Sequence, residues 1–167
     1  MQAFSWLSYG YAPWSHHFQG LTHDDAYWYF STTERVWKVP LGSRSEADAV
    51  ASPTVFDIGI LQSMKHMGDI DYYKGHLYVP VEPAPVKLLQ LDAKTLSPVK
   101  AFSINPVQKE MPWVALRPSD GMAFSSEFNA ACIYMHNLND GAVRSIPLLC
   151  GGKPFAIDRV QGGTFDP

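Results

Sequence analysis

Short runs of alternating apolar and polar residues, separated by Gly, Pro, Asn and Asp, follow one another along most of the chain. A period of two places successive side chains on opposite faces of an extended strand, and turn residues mark where strands end. The pattern therefore predicts an all-β chain with its strands in groups of four. A looser first group lies at 17–22, 26–31, 34–39 and 54–61. The second and third groups lie at 66–73, 76–81, 87–92 and 98–104, and at 112–117, 121–126, 131–137 and 142–148.

The groups of four are copies of one unit. Residues 75–80 align with residues 121–126, 46 positions further on, and each copy is a glycine turn followed by a strand. Residues 165–167 align with 116–118 at a spacing of 49, which predicts that a fourth unit begins at about 160–167. Self-similarity at a period of about 20–50 residues indicates a repeat architecture. The complete units are predicted at about 17–61, 66–104 and 112–148.

Four short antiparallel strands in a unit of about 40–50 residues are typical of a propeller blade, whose sheet packs face to face with its neighbours around a central channel. The strand-turn-strand segments 71–79 and 119–124 and the hairpin 91–96 carry the resemblance. From about residue 17 to residue 167 the chain resembles the β-propellers of the NHL, YVTN and SMP-30-like kind. The paired residues of WD40 repeats and the double glycine of kelch strands are absent at the expected places, so the resemblance implies an architecture rather than one family.

The length of the chain limits how much of a propeller it can hold. Its 167 residues correspond to about 3.5 units of about 48 residues. We therefore expect a single partial propeller domain over residues 1–167, with an incomplete ring. Three outcomes remain open: a fragment of a longer propeller, self-association of copies that completes the ring, or a ring shared between separate polypeptides. A blade without a neighbour exposes an apolar face and an open edge, which favours association.

Composition and charge exclude several classes of partner. The chain has 16 acidic and 13 basic residues, a formal net charge of −3 and no basic cluster, so we expect no nucleic-acid partner. No apolar run is long enough for a membrane helix. The first residues lack the features of a secretory signal, so we expect a cytoplasmic protein or a secreted one whose leader is missing. Cys132 and Cys150 could form a disulfide if the strands bring them together, but we expect two unpaired thiols in the core.

Candidate chemistry lies where the innermost strands reach the mouth of the channel, because each blade contributes side chains to a shared centre. The equivalent positions of the four units hold His17, His66, Pro112 and Gln161. Asp69 and Asp71 follow His66 on the same predicted strand. Further polar residues follow the first inner strand: His23, Asp24 and Asp25. Imidazoles and a carboxylate can hold a divalent cation or act as general acid and base. The candidate catalytic residues are therefore His17 and His66, and with Asp69 they are the candidate ligands of a cation such as Ca²⁺ or Mg²⁺.

Asp69, Trp113 and Gln161 are the candidate binding residues for a ligand at the same mouth. Ligands from different blades have no fixed sequence spacing, and no metal-binding or catalytic motif supports the assignment. The alternative interpretation is structural: the histidines satisfy backbone groups of neighbouring blades, while aspartates such as Asp24 and Asp71 cap turns.

Three functions are compatible with this interpretation. The first is binding of a small-molecule, glycan or peptide ligand, or of a protein partner, at the mouth of the propeller. The second is a metal-assisted hydrolase or lyase, as the resemblance to SMP-30-like propellers implies; a purely structural scaffold is a third. Whether the protein is an enzyme is left open. Aromatic residues of the first unit offer either a stacking surface or packing between blades; they are Trp28, Tyr29, Phe30 and Trp37.

Overall fold

The structure is a computed structural model that describes residues 18–42, 54–61, 66–82, 85–104 and 106–165. In these ranges the chain forms β-strands that pair mainly with their sequence neighbours, giving three successive antiparallel blades. The prediction of an all-β chain with four-stranded propeller blades is confirmed. No helix in the described ranges is long and apolar enough to cross a membrane.

Blade 1 has four strands in the spatial order β1-β2-β3-β4, and β1 is innermost. The first three strands lie within one residue of their predicted positions, because the alternation of apolar and polar residues is regular there. The strands are β1 (Phe18–His23), β2 (Tyr27–Thr32), β3 (Arg35–Pro40) and β4 (Thr54–Asp57).

The last strand of blade 1 is shorter than predicted. We expected it to reach residue 61, but Ile58–Leu61 form a 3-10 helix. The Asp57 carboxylate accepts a hydrogen bond from the Gly59 N–H at 2.8 Å, and the Arg35 guanidinium donates to the same carboxylate at 3.0 Å. A side chain that bonds its own backbone competes with the sheet, so the strand ends at Asp57.

Blade 2 has an inner strand that is split in two. The sequence predicts one strand over 66–73, but its two ends form separate strands, and both pair with β7. The outer strands agree with the prediction to within one residue at each end. The strands are β5 (His66–Met67), β6 (Asp71–Tyr73), β7 (His76–Glu82), β8 (Lys87–Asp92) and β9 (Pro98–Ser103).

The break between β5 and β6 arises because the chain turns there from its own sheet toward the next blade. The Asp69 N–H donates to the Pro112 carbonyl at 2.8 Å, and the Asp69 carbonyl accepts from the Val114 N–H at 3.3 Å. These bonds form an isolated parallel bridge between Asp69 and Trp113. Gly68 permits the approach, since a β-carbon at that position would overlap the Pro112 carbonyl.

Blade 3 lies entirely within the four predicted segments. A glycine closes the turn between its last two strands: the Gly141 N–H donates to the Asn137 carbonyl at 2.8 Å, and Gly141 has a φ of 75°. The strands are β10 (Ala115–Leu116), β11 (Ala123–Ser125), β12 (Cys132–His136) and β13 (Val143–Pro147).

The blades pack face to face through two apolar cores. Leu77 and Val79 of β7 are buried with residues of blade 1, while Tyr78 between them is buried with residues of blade 3. Because successive side chains of a strand point to opposite faces of the sheet, β7 contributes to the packing on both faces of blade 2. The first core includes Tyr29, Val36, Phe56, Leu89 and Leu91, and the second includes Leu88, Val114, Leu116 and Ala123.

An additional hairpin, which was not among the predicted strands, follows blade 3. Strands β14 (Leu149–Cys150) and β15 (Lys153–Pro154) are joined by Gly151 and Gly152, whose φ angles are 56° and 77°. Two glycines with positive φ form the two-residue turn that suits a hairpin. The Gly-Gly pair was the signal that could have revealed these strands.

The thiols and several apolar side chains near this hairpin are accessible. Cys132 and Cys150 are unpaired, as expected, but Cys132 is half-buried and Cys150 is exposed. The prediction that they lie in the core is wrong, because β14 lies at the surface. Leu149, Phe155 and Ile157 are also exposed.

Residues 160–165, where a fourth blade is predicted to begin, form no strand. The Val160 N–H donates to the Phe128 carbonyl at 2.8 Å. Further on, the Phe165 ring meets the Phe124 ring edge to face, with centroids 5.0 Å apart. The segment thus packs against blade 3, and the fourth blade stays a prediction, as do the unit boundaries.

The substitution Gly68→Ala is expected to lower the free energy of unfolding by about 2–3 kcal/mol, because its methyl group would force the Pro112 carbonyl away. Gly42→Ala is the matched control, since a β-carbon on Gly42 meets nothing within 4 Å. Urea unfolding followed by tryptophan fluorescence measures both. Equal midpoints for the two variants would contradict the close approach of blades 2 and 3.

Candidate functional site

A cavity of about 500 Å³, here called the channel cavity, opens between the inner strands of blades 1 and 2 and the segment 163–165. Strand β1 supplies one wall, residues 69–72 supply the second, and the segment after the last hairpin supplies the third. Its polar side chains include two carboxylates, an imidazole and two threonine hydroxyls. These are Asp69, Asp71, His23, Thr22 and Thr164.

Asp69 lies where three parts of the chain meet. Its Oδ1 accepts a hydrogen bond from the Leu21 N–H of blade 1 at 3.3 Å, while its backbone pairs with blade 3. Gly162 approaches from the third side: a β-carbon there would lie 3.0 Å from Oδ2. Burial raises the pKa of Asp69 to about 7; hydrogen bonds from the N–H groups of Leu21 and Ile70 oppose the rise, and the charge of Asp71 adds to it.

Asp71 uses both carboxylate oxygens to join neighbouring blades. Oδ2 accepts the Leu116 N–H at 2.6 Å, and Oδ1 accepts the Tyr72 N–H at 2.8 Å and the Thr22 hydroxyl at 3.4 Å. Burial raises its pKa, although these bonds oppose the rise. The interpretation of Asp71 as a turn cap is therefore wrong, whereas Asp24 does cap a turn by accepting two backbone N–H groups at 2.8 and 2.7 Å.

His66 lies at the opposite end of the inner strand of blade 2. Its Nδ1 is 3.4 Å from Oε2 of Glu82, and Oε1 of Glu82 accepts the Met111 N–H at 2.6 Å. The hydrogen bond with His66 lowers the pKa of Glu82, burial opposes this, and the Met111 N–H lowers the pKa further. His66 therefore supports a contact between blades 2 and 3. His17 lies outside the described residues, so its equivalence to His66 stays a prediction.

The predicted cation site requires several ligand side chains that lie close to one another. Among the described residues, no three side chains of His, Cys, Asp or Glu lie close enough to hold one metal ion. Asp69 offers a carboxylate, but His66 contacts Glu82 instead. The site of His17, His66 and Asp69 stays a prediction, as does a catalytic role for either histidine.

Trp113 and Gln161, predicted as binding residues together with Asp69, lie in different surroundings. Trp113 is buried, and its Nε1 donates to Oγ of Ser126 at 2.8 Å. Gly163 crosses the indole so closely that a β-carbon there would overlap the ring. Gln161 is exposed. The backbone at Gly163 thus covers part of the Trp113 ring, and direct contact of either residue with a ligand stays a prediction.

A buried polar cluster in blade 3 was not predicted from the sequence. Oε1 of Gln108 accepts hydrogen bonds from Nε2 of His136 at 2.7 Å and from the Ser125 hydroxyl at 3.0 Å. Its Nε2 donates to the carbonyls of Glu110 and Ser126. Burial lowers the pKa of His136 to about 4, so the neutral ring donates through Nε2. The cluster anchors the loop around Gln108, and no local pattern could have revealed it because its partners are far apart in sequence.

A second cavity, of about 600 Å³, lies between blades 1 and 2 at the end where β1 turns into β2. We call it the tyrosine groove, defined by Tyr27, Tyr29, Tyr72, Asp24, Lys38 and Lys94. Lys38 was not singled out in the sequence, although a lysine inside the apolar run of β3 was the available signal.

The substitution Asp69→Asn is expected to stabilise the fold at neutral pH and to change little near about pH 4. The folded protein holds the Asp69 proton up to about pH 7, whereas the unfolded chain releases it near 3.8. The stability that Asp69 contributes is therefore complete below the lower value and lost as pH rises through the upper one. Urea unfolding at about pH 4 and 8 should show the difference between variant and parent growing by an amount on the order of a few kcal/mol. A constant difference would contradict a raised pKa.

His136→Gln tests the opposite sign of pH dependence. Because burial lowers the pKa of His136 from 6.5 to about 4, the parent loses stability as pH falls through that window, where only the unfolded chain takes up the proton. A glutamine amide can still donate to Gln108 but does not titrate. The variant should lose less stability than the parent between these two values in the same unfolding series, and parallel pH curves would show that His136 titrates normally.

No family model matches the chain, and the search of curated proteins gave no match to its sequence. The fold is similar to that of the glutaminyl cyclase of Myxococcus xanthus, a β-propeller protein, with a TM-score of 0.61 and 13% identity over 83% of this chain and 54% of that chain. The structure of apo AztD from Citrobacter koseri gives a TM-score of 0.47 and 10% identity over 79% and 35% of the two chains. The chain thus spans about half the length of the glutaminyl cyclase, and its fold is that of part of a β-propeller.

Proposed function

We propose that the protein binds a small polar ligand in the channel cavity and that this ligand carries a protonated amine. The observation that carries the proposal is the Asp69 carboxylate, which lines the cavity, is largely buried and has backbone N–H groups as its hydrogen-bond donors. A buried carboxylate without a cation nearby is costly, and such groups in clefts are candidates for functional sites.

A cationic ligand would relieve this cost. An ammonium group within hydrogen-bond distance of Asp69 favours the ionised carboxylate, because opposite charges attract strongly where water is partly excluded. Asp71 adds a second negative charge to the wall when it is ionised, while the imidazole of His23 and the hydroxyls of Thr22 and Thr164 offer further polar contacts. The cavity therefore suits an amine better than an anion.

A metal-assisted hydrolase or lyase is the second candidate. It is supported by the pKa of Asp69, since a carboxyl that titrates near neutral pH can both accept and donate a proton. It needs a cation site as well, and the described residues lack a set of three ligands. Ligand binding is therefore the function that the described residues support better.

The test uses putrescine as the probe and butanediol as its neutral counterpart of the same chain length. Isothermal titration calorimetry at about pH 8 should detect putrescine binding to the full chain and none for the diol. Below about pH 7 the affinity should fall by up to about tenfold for each pH unit, because binding then competes with protonation of Asp69. Asp69→Asn should abolish the signal.

Asp25→Asn is the matched control, because it removes one carboxylate from an exposed position in the neighbouring turn. It should bind putrescine as the parent does. Equal binding of the diol, or unchanged binding by Asp69→Asn, would overturn the proposal. Ca²⁺ and Mg²⁺ are titrated in parallel, and binding of either ion without binding of the amine would replace the proposal with the metal-dependent alternative.

A further inference from the structure

The tyrosine groove has aromatic walls that the apolar cores do not fully cover. Tyr29 is completely buried, and its ring is parallel to that of Tyr72, with centroids 6.2 Å apart and planes 4° apart. Tyr27 and Tyr72 remain partly exposed and line the groove. The volume of about 600 Å³ lies within the range of about 300–1,000 Å³ that is usual for small-molecule sites.

Lys38 fixes the groove between the two blades. Its Nζ donates to the carbonyls of Ala93 and Lys94 at 3.0 and 2.8 Å and lies 3.9 Å from the centre of the Tyr27 ring. Only 8% of the residue is exposed. A strand of blade 1 is thereby tied to a turn of blade 2, and the ammonium has partners on several sides. A groove held in this way is largely formed before a ligand arrives, which lowers the entropic cost of binding.

Asp24 fixes the opposite wall. It accepts hydrogen bonds from the N–H groups of Ala26 and Tyr27, and the Tyr29 hydroxyl donates to it at 2.7 Å. Burial acts to raise the pKa of Asp24, but these hydrogen bonds and the charge of Lys38 outweigh it, so the pKa is lowered. The carboxylate is therefore ionised and already well supplied with donors.

The charged side chains that line the groove are Asp24, Lys38 and Lys94. The Asp24 carboxylate already accepts hydrogen bonds from two N–H groups and the Tyr29 hydroxyl, and the Lys38 ammonium already donates to two carbonyls. The remaining charge, on Lys94, is exposed, and water weakens the attraction that an exposed charge exerts. The lining therefore favours a neutral ligand.

The free hydrogen-bonding groups of the groove are on side chains. The carbonyls of Ala93 and Lys94 accept from Lys38, and the Gly75 carbonyl accepts from the Ala93 N–H at 3.0 Å, so an extended peptide would find few backbone partners there. The hydroxyls of Tyr27 and Tyr72 have no hydrogen-bond partner within the described ranges and can both donate and accept.

From these observations we propose that the tyrosine groove binds a neutral saccharide. A sugar ring has apolar C–H faces, which can lie on the exposed parts of Tyr27 and Tyr72, and a rim of hydroxyls, which can bond the tyrosine hydroxyls and Lys94. Aromatic rings with a polar tip suit such an amphipathic partner. The site is distinct from the channel cavity, although Tyr72 borders both, and it needs no metal or catalytic group.

The test measures binding of four neutral probes, maltotetraose, cellotetraose, mannotetraose and fully N-acetylated chitotetraose, to the full chain by saturation-transfer NMR and calorimetry. At least one is expected to bind. Tyr27→Leu should weaken that binding by about tenfold, since it removes one aromatic face, and Tyr27→Phe should weaken it less. Phe102→Leu is the matched control: Lys100 lies over the Phe102 ring at 4.3 Å, so it disrupts a similar pair outside the groove and should leave the affinity unchanged.

Circular dichroism verifies that each variant is folded. If Tyr27→Leu does not fold, Lys94→Ala at the exposed rim takes its place and should weaken binding by about threefold. Lack of binding by all four probes overturns the proposal. Equal binding by parent and groove variants overturns it as well, as does binding of a proline-rich peptide when no saccharide binds. Asp69→Asn should leave saccharide binding unchanged, which separates this site from the one in the channel cavity.

Discussion

The close approach of the inner strands at Asp69 is the constraint on which the arrangement of the blades depends. Gly20 of blade 1 and Gly68 of blade 2 stand where a β-carbon would collide with the Asp69 backbone and the Pro112 carbonyl, respectively. Gly162 faces the carboxylate from the third side. Because these positions have no side chain, Asp69 can accept a hydrogen bond from blade 1 and pair its backbone with blade 3 at once. The inner strand of blade 2 is interrupted at Asp69 because its backbone there pairs with Trp113 instead of with β7.

The chemistry of both cavities follows from what holds the blades together. Convergence of the inner strands buries the carboxylate of Asp69 and leaves it facing the channel cavity. Also between blades 1 and 2, at the end where β1 turns into β2, a buried lysine bonds two carbonyls of the neighbouring blade and thereby fixes the walls of the tyrosine groove. Groups that join two blades thus also determine the charge and shape of the space between them. This explains why residues at the junctions, rather than within one sheet, carry the candidate functions.

The fold was predictable because its signals are local in the sequence. The site was predictable only in part, because its contacts join residues that are far apart in the sequence. Alternation of apolar residues and glycine turns fixed the strands of all three blades to within a few residues, except where Asp57 ends a strand early and Asp69 breaks one. Asp69 was identified from its position on the inner strand. Nothing in the sequence indicated that His66 would contact Glu82, or that Lys38 would bond carbonyls 55 and 56 residues further along the chain.

The outer strands of blades 2 and 3 have a feature that bears on how the protein behaves at high concentration. Strand β9 begins with Pro98 and strand β13 ends with Pro147, and exposed charges lie beside them at Lys100 and Arg144. Proline offers no N–H to an approaching strand, and a charge on an edge disfavours its pairing with another sheet. The outer rim therefore resists growth into a continuous intermolecular sheet, and any association of these blades is directed to their flat faces.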